Sequence, residues 1–342
     1  MIHRFLCVAL ALIALVATSF LLHTLLPPVI PAGVAAKLKF FNEHKDEFDT
    51  LFLGTSRFYY AVSPEIFDKT TRENGVPTRT FNFGVDGMHP PENFYVLEQI
   101  LKTKPRNLKW VFLEIGDVQT GWAGKELGTR RVVYWHDWAR TALTLKKALN
   151  PRGGAPWYIK ATRLWLARRA LTQNMTLFAK QFANIGRVAD FFSSEDENQH
   201  ADRSDSELGP KHDGYRLAGS AMSAERAAIF KKNLGQEVSN ARPKFIDPYA
   251  DQAYRDAATQ IHQIGAAPFF VVTPIIFQSR FNFRRLPPGP LLSFNDSKVY
   301  PELYDTNVRI DDGHLTRQGS ETFTGILAHE FIRTVRLVIV QP

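Results

Sequence analysis

Cysteine is almost absent from this sequence of 342 residues, in which the one cysteine is Cys7. A single cysteine excludes an intramolecular disulfide and a thiolate metal cluster, and its place near the amino end leaves the folded domain without a cysteine nucleophile. Histidine pairs at metal-ligand spacing and a glycine-rich phosphate loop of the Walker kind are missing as well. The sequence therefore predicts no metal and no cofactor.

Acidic residues are in the minority, since 34 aspartates and glutamates face 42 lysines and arginines, for a formal net charge of +8. This balance, together with 12% aromatic residues, favours contact with an anionic surface such as phospholipid head groups, acidic glycans or nucleic acid. No nucleic-acid-binding module is recognisable, so we do not expect nucleic acid to be the partner.

Charged side chains other than histidine are missing from residues 5–26, an apolar run that follows Arg4 and ends at Pro27 and Pro28. A helix of that length spans a hydrocarbon core of about 30 Å. A cleaved signal peptide is the alternative, but the run is long for one and no small-x-small site follows it closely. We predict that residues 1–26 are a retained transmembrane anchor, with Cys7 as an apolar residue of the span and residues 27–47 as a linker.

The short basic start ahead of the apolar run also predicts the orientation of the chain. Lysines soon after the run make the count of positive charges on the two sides nearly neutral, so the orientation depends on that start alone. We expect a single-pass protein of the cytoplasmic (inner) membrane. Its domain, residues 48–342, would face the periplasm or the cell exterior.

From about residue 49, short apolar runs alternate with helical segments, which is typical of a parallel α/β sheet. The predicted strands are residues 50–53, 80–83, 110–115, 268–273 and a last one near Val308. The predicted helices include residues 91–102, residues 247–264 and a final helix that ends near Arg336. We therefore expect one α/β domain with a doubly wound parallel sheet.

A helical insertion interrupts this alternation at about residues 132–242, with helices predicted at 138–149, 158–171 and 177–192 and a polar loop at 193–213. The insertion interleaves Trp135, Trp138, Trp157 and Trp165 with Arg140, Lys146, Lys147, Arg152, Lys160, Arg163, Arg168 and Arg169. Basic helices with aromatics can lie on an anionic membrane. The same composition also fits glycan binding, or tryptophans that only pack the insertion on the sheet, and the sequence leaves these alternatives open.

Two candidate chemical groups lie far apart in the sequence. Ser56 directly follows the first strand, at the edge of the sheet where open α/β folds bind ligands, although such a residue can also merely cap the next helix. Asp311 precedes His314 by three residues, a spacing at which a carboxylate can orient an imidazole that takes a proton from a serine. The pair also fits a surface turn whose aspartate caps the final helix.

A third segment, Asn-Phe-Gly-Val-Asp-Gly-Met at residues 82–88, follows the second strand. Its glycines permit positive φ angles and expose backbone N–H groups, as an oxyanion site requires. A plain turn between strand and helix is the alternative.

In this order, the three segments resemble the conserved blocks of the SGNH (GDSL-like) hydrolase superfamily. The resemblance implies a flavodoxin-like sheet, Ser56 as nucleophile, and the Ser56 N–H as part of an oxyanion hole. It also implies that Gly87 is a second oxyanion donor and that Asp311 and His314 complete a catalytic triad. Leu315 and Gly319 fit the last block too.

The third block departs from the pattern of that superfamily. Its strand usually ends in Gly-x-Asn-Asp, where the asparagine is a third oxyanion donor, whereas residues 114–118 read Glu-Ile-Gly-Asp-Val. The loss of such a donor costs a factor of about 10² to 10³ in turnover. The strand and the anchor resemble a branch that acts with membrane acyltransferases in alginate O-acetylation or D-alanine transfer to teichoic acid. In some of that branch the carboxylate precedes the histidine by two residues, which keeps Asp312 as a substitute for Asp311.

Other side chains near the predicted crevice have two interpretations each. Arg57 could clamp an acidic substrate group or be an exposed arginine at a helix start. His89 and Asp117 could line the pocket, and His89 also fits a surface turn beside Pro90. Glu114 could point into the crevice or pair with a neighbouring arginine.

These features predict a membrane-anchored serine acyltransferase or esterase that forms an acyl-Ser56 intermediate and acts on acetyl-like groups of an extracytoplasmic polysaccharide. The expected partners are an envelope polysaccharide, the membrane and a membrane-bound acyltransferase. One alternative is a non-catalytic protein of the same fold that binds a glycan or an acyltransferase. The other is a simple membrane-tethered esterase without a partner.

Overall fold

The structure is a computed structural model that describes residues 2–25, 30–127, 129–149, 157–183 and 206–340. The chain forms two compact units. The sheet unit comprises Gly33–Asp117 and Ala201–Pro342, and the anchor unit comprises Met1–Ala32 and Val118–His200.

Five parallel strands form the main sheet of the sheet unit. They are β1 Thr50–Gly54, β2 Thr80–Gly84, β3 Trp110–Glu114, β5 Ala267–Val272 and β7 Leu291–Ser293, in the order β2-β1-β3-β5-β7. A separate parallel pair joins β4 Lys244–Phe245 to β6 Phe281–Asn282. The strand order reverses between β1 and β3, and the crevice beyond such a reversal is where open α/β sheets bind ligands.

The helices follow in chain order, and the last ones alternate with the strands. In the described part of the chain they are α1 Ile2–Leu25, α2 Ala32–His44, α3 Ser56–Tyr59, α4 Pro64–Glu73, α5 Glu92–Lys102, α6 Arg130–Val133, α7 Trp138–Leu149, α8 Trp157–Ala183, α9 Ala224–Asn240, α10 Pro248–Gln263 and α11 Arg317–Val340. Short 3₁₀ turns lie at Pro301–Leu303 and Thr306–Val308.

Aromatic side chains fill the core on both faces of the sheet. On one face the rings of Phe52 and Phe112, from β1 and β3, stack 4.2 Å apart, and Phe331 of α11 packs on Phe112. On the other face Tyr254 of α10 contacts Phe270 of β5 at 5.7 Å. Because both faces are covered, the strands are mostly apolar, which is why they appear in the sequence as short apolar runs.

The predicted α/β class and the mostly parallel sheet are confirmed, but the last predicted strand is wrong. Thr306–Val308 is a 3₁₀ turn, and the neighbouring Arg309 makes only an isolated antiparallel bridge with Leu315. The fifth strand of the sheet is instead β7, which has three residues and follows Pro290. A strand this short carries too few residues to form a periodic pattern.

The helices predicted at 158–171 and 177–192 form one helix up to Ala183, since neither glycine nor proline separates them. Residues 184–192, and residues 193–205 of the predicted polar loop, lie outside the described residues. Residues 206–242 were expected in the insertion but belong to the sheet unit, where Phe230 of α9 is part of the core. Residues from Val118 onward, which precede the predicted start of the insertion, belong to the anchor unit.

The predicted linker contains the helix α2, whose side chains are part of the sheet unit. Val34 and Phe41 are buried. Lys37 is fully buried, and its ammonium donates to the carbonyls of Gly84 and Gly214 at 2.6 and 2.7 Å. This segment is therefore a packed element from Ala32 onward, while residues 27–29 lie outside the described residues.

Helix α1 of the anchor unit is long and apolar enough to cross a membrane, with a mean hydropathy of 2.8 over its most apolar window. In the same unit α8 packs against α7 and α1. The tryptophans of the predicted insertion differ in solvent exposure, since Trp135 is buried whereas Trp138 and Trp165 are exposed. The side chain of Trp157 lies outside the described part.

Candidate active site

Ser56 is the first residue of α3, directly beyond the end of β1. The helix begins here because the Thr55 hydroxyl accepts a hydrogen bond from the Arg57 N–H at 3.1 Å. Glycine is required at position 54, since a Cβ there would lie 2.6 Å from a carboxylate oxygen of Glu114. This tight turn puts the Ser56 hydroxyl at the carboxyl edge of the sheet, where the strand order reverses.

The Ser56 hydroxyl lies against His314, which is 258 residues away in sequence, with 2.8 Å between Oγ and Nε2. The other ring nitrogen, Nδ1, is 2.9 Å from both carboxylate oxygens of Asp311. Because an ionised carboxylate only accepts hydrogen bonds, Nδ1 carries the proton of the neutral ring. Nε2 is then free to accept the proton of the serine hydroxyl, as in a serine, histidine and aspartate triad.

Local backbone groups hold the Asp311 carboxylate in place. Its Oδ1 accepts the N–H groups of Gly313 and His314, each at 2.8 Å. Burial by itself raises the pKa of Asp311, but the hydrogen bonds from His314 and from the Gly313 N–H outweigh it and lower the pKa to about 2. The group is therefore ionised at neutral pH, as an orienter of an imidazole must be.

The alternative carboxylate, Asp312, has a different place in the loop. Its backbone carbonyl accepts hydrogen bonds from the side chain of Arg309 and from the Ile276 N–H, both at 2.9 Å. The structure brings Asp311, and not Asp312, against the ring nitrogen of His314.

The sequence did not indicate a role for Arg309, whose buried side chain binds the backbone of this loop. It is fully buried, and its guanidinium donates to four backbone carbonyls, those of Leu303, Pro274, Asp312 and Asp311, at 2.8–3.2 Å. Two of these carbonyls belong to Asp311 and Asp312, so Arg309 holds the backbone of the loop that carries Asp311 and His314. A buried arginine in a loop has no sequence signal that separates it from an exposed one.

Glu114, at the end of β3, organises the turn on the serine side. Its carboxylate is 2% exposed, and it accepts the Thr55 N–H at 2.7 Å and the Thr273 hydroxyl at 3.2 Å. It also pairs with Arg57 at 2.5 Å from Nε. Of the two interpretations of Glu114, the structure thus shows the pairing with a neighbouring arginine.

A cavity of about 450 Å³ opens beside the serine. It is lined by Ser56, Tyr60, Asp86, Arg216, Leu217, Ala218, Gly219, Ile310, Asp311 and His314. Residues 216–219 form one wall, which is held by the Arg216 N–H on the Tyr59 carbonyl at 3.2 Å and by the Met222 N–H on the Arg309 carbonyl at 2.9 Å. The sequence analysis missed this wall because it placed these residues in the insertion.

The remaining predicted site residues lie outside the lining of the cavity. Gly87 is exposed, has a φ of 66° and directly follows the lining residue Asp86. Arg57 directs its Nε at Glu114, and His89 and Asp117 are exposed. The substrate-binding roles of these three residues, and that of Gly87 in an oxyanion hole, stay predictions.

The stabilisation of an oxyanion at this site would come from backbone groups. As the first residue of α3, Ser56 has a backbone N–H without an acceptor inside the helix, as an oxyanion donor needs. No asparagine is among the described residues that line the cavity. Beyond β3 the Gly116 N–H instead donates to the Tyr254 hydroxyl at 2.8 Å.

The described residues contain no group of three or more histidine, cysteine, aspartate or glutamate side chains that could hold a metal ion. The side chains that the structure brings together at the site are a serine hydroxyl, an imidazole and an ionised carboxylate. No protein-family model matches this chain, and a search of curated proteins found no similar protein.

Proposed function

We propose that this protein is a membrane-anchored serine acyltransferase or esterase that works through an acyl-Ser56 intermediate. The observation that carries the proposal is the hydrogen-bonded series from the Ser56 hydroxyl through His314 to Asp311, with 2.8 Å and 2.9 Å between the paired atoms. These distances lie within the range over which a positioned base takes a proton from a nucleophile.

In this mechanism the Ser56 oxygen attacks the carbonyl carbon of an acyl ester while its proton passes to His314 Nε2. The ionised Asp311 stabilises the imidazolium that forms. The backbone N–H groups of Ser56 and Gly87 stabilise the tetrahedral oxyanion. When the intermediate collapses, the carbon–oxygen bond to the leaving alcohol breaks and His314 returns the proton to that alcohol. An acceptor hydroxyl, from a sugar or from water, then gives its proton to His314 and attacks the acyl carbon. The bond from that carbon to the Ser56 oxygen breaks, and His314 returns the proton to this oxygen.

The wider context supports the SGNH (GDSL-like) superfamily and its membrane-anchored branch as the origin of this site. Counted within the main sheet alone, the strand order is 2-1-3-4-5, which is the flavodoxin-like order. In this proposal α1 crosses the cytoplasmic membrane and Ser56 faces the periplasm or the cell exterior. The substrate would then be an acetyl-like ester of an envelope polysaccharide. A membrane-bound acyltransferase would then be the donor partner.

Labelling with a fluorophosphonate probe tests this proposal, because the probe phosphonylates only an activated serine. The full chain, purified in detergent, should react at Ser56, and Ser56→Ala should abolish the reaction. Ser239→Ala is the matched control, since Ser239 lies on the exposed face of α9 and should not matter. If Ser56→Ala labels as well as the unmodified chain, Ser56 is not the nucleophile; if the folded, unmodified chain does not label at all, a non-catalytic binding role replaces the proposal.

A further inference from the structure

Helix α8 carries an exposed apolar stripe. Leu164, Leu171 and Met175 are seven and four residues apart, so they lie on one side of the helix, and they are 72%, 37% and 44% exposed. Trp138 of α7 is 73% exposed and extends the stripe through a contact between its ring and that of Phe178, 5.8 Å away. A row of exposed large apolar side chains on a helix indicates a surface that binds an apolar partner.

A different side of α8 makes the contacts that fold the anchor unit. Ala167, Ala170 and Leu177 are buried, and the side-chain amides of Gln173 and Asn174 donate to the carbonyls of Trp122 and Thr120 at 3.1 and 3.0 Å. The exposed stripe is therefore additional to the side that holds the unit together.

The charge of this region points to an anionic partner. From Trp138 to Ala183 the sequence has no aspartate or glutamate but nine lysines and arginines, namely the eight basic residues given for the insertion and Lys180. Arg168 and Arg169 are exposed on α8, and the Arg169 guanidinium lies 5.7 Å from the centre of the Trp165 ring. Exposed leucine and tryptophan beside arginines are the composition of helices that lie in a membrane interface.

The position of α8 favours a bilayer over a soluble acidic partner. It packs against α1, the helix that can cross a membrane, and Ser19 is the buried residue of the apolar window of α1. The large apolar side chains of α1, such as Phe5, Ile13 and Phe20, are exposed. The anchor unit therefore combines an apolar helix that is able to cross a membrane with the exposed stripe of the helix packed against it.

We propose that α8 lies in the interface of an anionic phospholipid bilayer. Leu164, Leu171 and Met175 contact the acyl boundary, and Arg168 and Arg169 face the phosphate groups of the lipids. The anchor unit would then have a second membrane contact beside the span. This proposal does not depend on the chemistry at Ser56.

Single-cysteine labelling of the full chain tests this placement. Cys7→Ser removes the native thiol, and the environment-sensitive fluorophore NBD is then attached at Met175→Cys or at the adjacent, exposed control Thr176→Cys, which points about 100° away around the helix. Both proteins are reconstituted in phosphatidylglycerol-containing nanodiscs with or without doxyl-labelled lipid. Leu171→Cys serves as a second probe of the stripe, in case one substitution disturbs packing.

We expect doxyl lipid to remove severalfold more fluorescence from the labels at 171 and 175 than from the label at 176, and iodide in the buffer to quench in the opposite order. Discs of neutral phosphatidylcholine should reduce the lipid quenching. The proposal is overturned if all three labels are quenched equally by iodide and not by doxyl lipid. It is also overturned if labels on the stripe are shielded from both quenchers, which would indicate a protein partner or a second copy of the chain.

Discussion

The adjacent residues Asp311 and Asp312 have the same side chain, but only one of the two carboxylates contacts His314. Asp311 and Asp312 both precede His314 at spacings that can orient an imidazole, and the sequence alone does not decide which of them does so. The structure separates them because the Asp311 side chain receives two backbone N–H groups and the ring N–H, whereas Asp312 is held through its backbone carbonyl. The difference follows from the backbone path of the loop, which no local spacing rule contains.

Matched substitutions in this pair should therefore differ in effect. Asp311→Asn leaves the ring without an ionised partner and favours the wrong tautomer, so we expect the rate of fluorophosphonate labelling to fall by about 10² to 10⁴. Asp312→Asn should change the rate by less than about threefold, because its backbone carbonyl remains. Equal losses in the two variants would show that the carboxylate of Asp311 is not the orienter.

Stability should depend on pH through the same carboxylate. The pKa of Asp311 in the folded chain is about 2, below the ordinary aspartate value of 3.8, so its ionised form stabilises the fold above about pH 4 and this contribution is lost as the pH falls towards 2. The Tm of the unmodified chain should exceed that of Asp311→Asn at pH 7 by more than at pH 3. A gap in Tm that stays constant or widens on acidification would contradict the depressed pKa.

Glu114 should matter for the serine turn although it does not touch the cavity. Glu114→Ala leaves the buried Thr55 N–H without its acceptor and the Arg57 guanidinium without its ionic partner, and breaking a buried charge pair in this way costs about 3–5 kcal/mol. We expect a lower Tm and slower labelling of Ser56, with Glu114→Gln retaining part of both because its amide oxygen still accepts the Thr55 N–H. Glu321→Ala, which removes an exposed ion pair on α11, is the control and should leave both quantities almost unchanged.

At the scale of elements, the sequence was most informative where packing is regular. The strands β1, β2, β3 and β5 were predicted nearly in place, because each is buried on both faces and appears as an apolar run. The last predicted strand, near Val308, was wrong. Val308 is apolar and buried, yet it belongs to a 3₁₀ turn, and the next residue, Arg309, forms an isolated bridge with Leu315.

The loop that carries Asp311 and His314 should depend on Arg309 as a whole. Arg309→Lys keeps the charge, but a lysine has three donors on one nitrogen and cannot reach four carbonyls that surround a planar guanidinium. We expect labelling of Ser56 to slow at least tenfold and the Tm to fall. Arg333→Lys, on an exposed arginine of α11 that pairs with Glu330, should behave like the unmodified chain, and an equally harmless Arg309→Lys would show that the loop does not need this support.

At the scale of the whole molecule, the site joins residues from both ends of the chain while the region between them is divided between two units. The sequence predicted that Ser56 and His314 would meet, since the ends of parallel strands lie along one edge. It did not predict the wall formed by residues 216–219 or the packed helix α2. Both lie in segments without strand signals, and their places are set by contacts between residues far apart in sequence, such as that of Lys37 with Gly214.

No asparagine is among the described residues that line the cavity, and this bears on the acyl transfer that we propose. Under the proposed function, backbone N–H groups are the oxyanion donors and α1 keeps the protein at a membrane. Transfer between donors and acceptors held nearby would then tolerate weaker stabilisation of the oxyanion than hydrolysis of a dilute ester. This view requires that an acyl group stays on Ser56 long enough to be passed on.

Detection of an acyl group on Ser56 tests directly whether this residue is the nucleophile. The full chain in detergent is mixed with a small aryl acetate, quenched in acid within a turnover and analysed by peptide mass spectrometry, with Ser56→Ala as the control. We expect an acetyl group on the peptide that contains Ser56, formed with release of the aryl alcohol and absent in Ser56→Ala. Release of the alcohol at the same rate in Ser56→Ala, or an acetyl group found on another residue, would show that Ser56 is not the nucleophile.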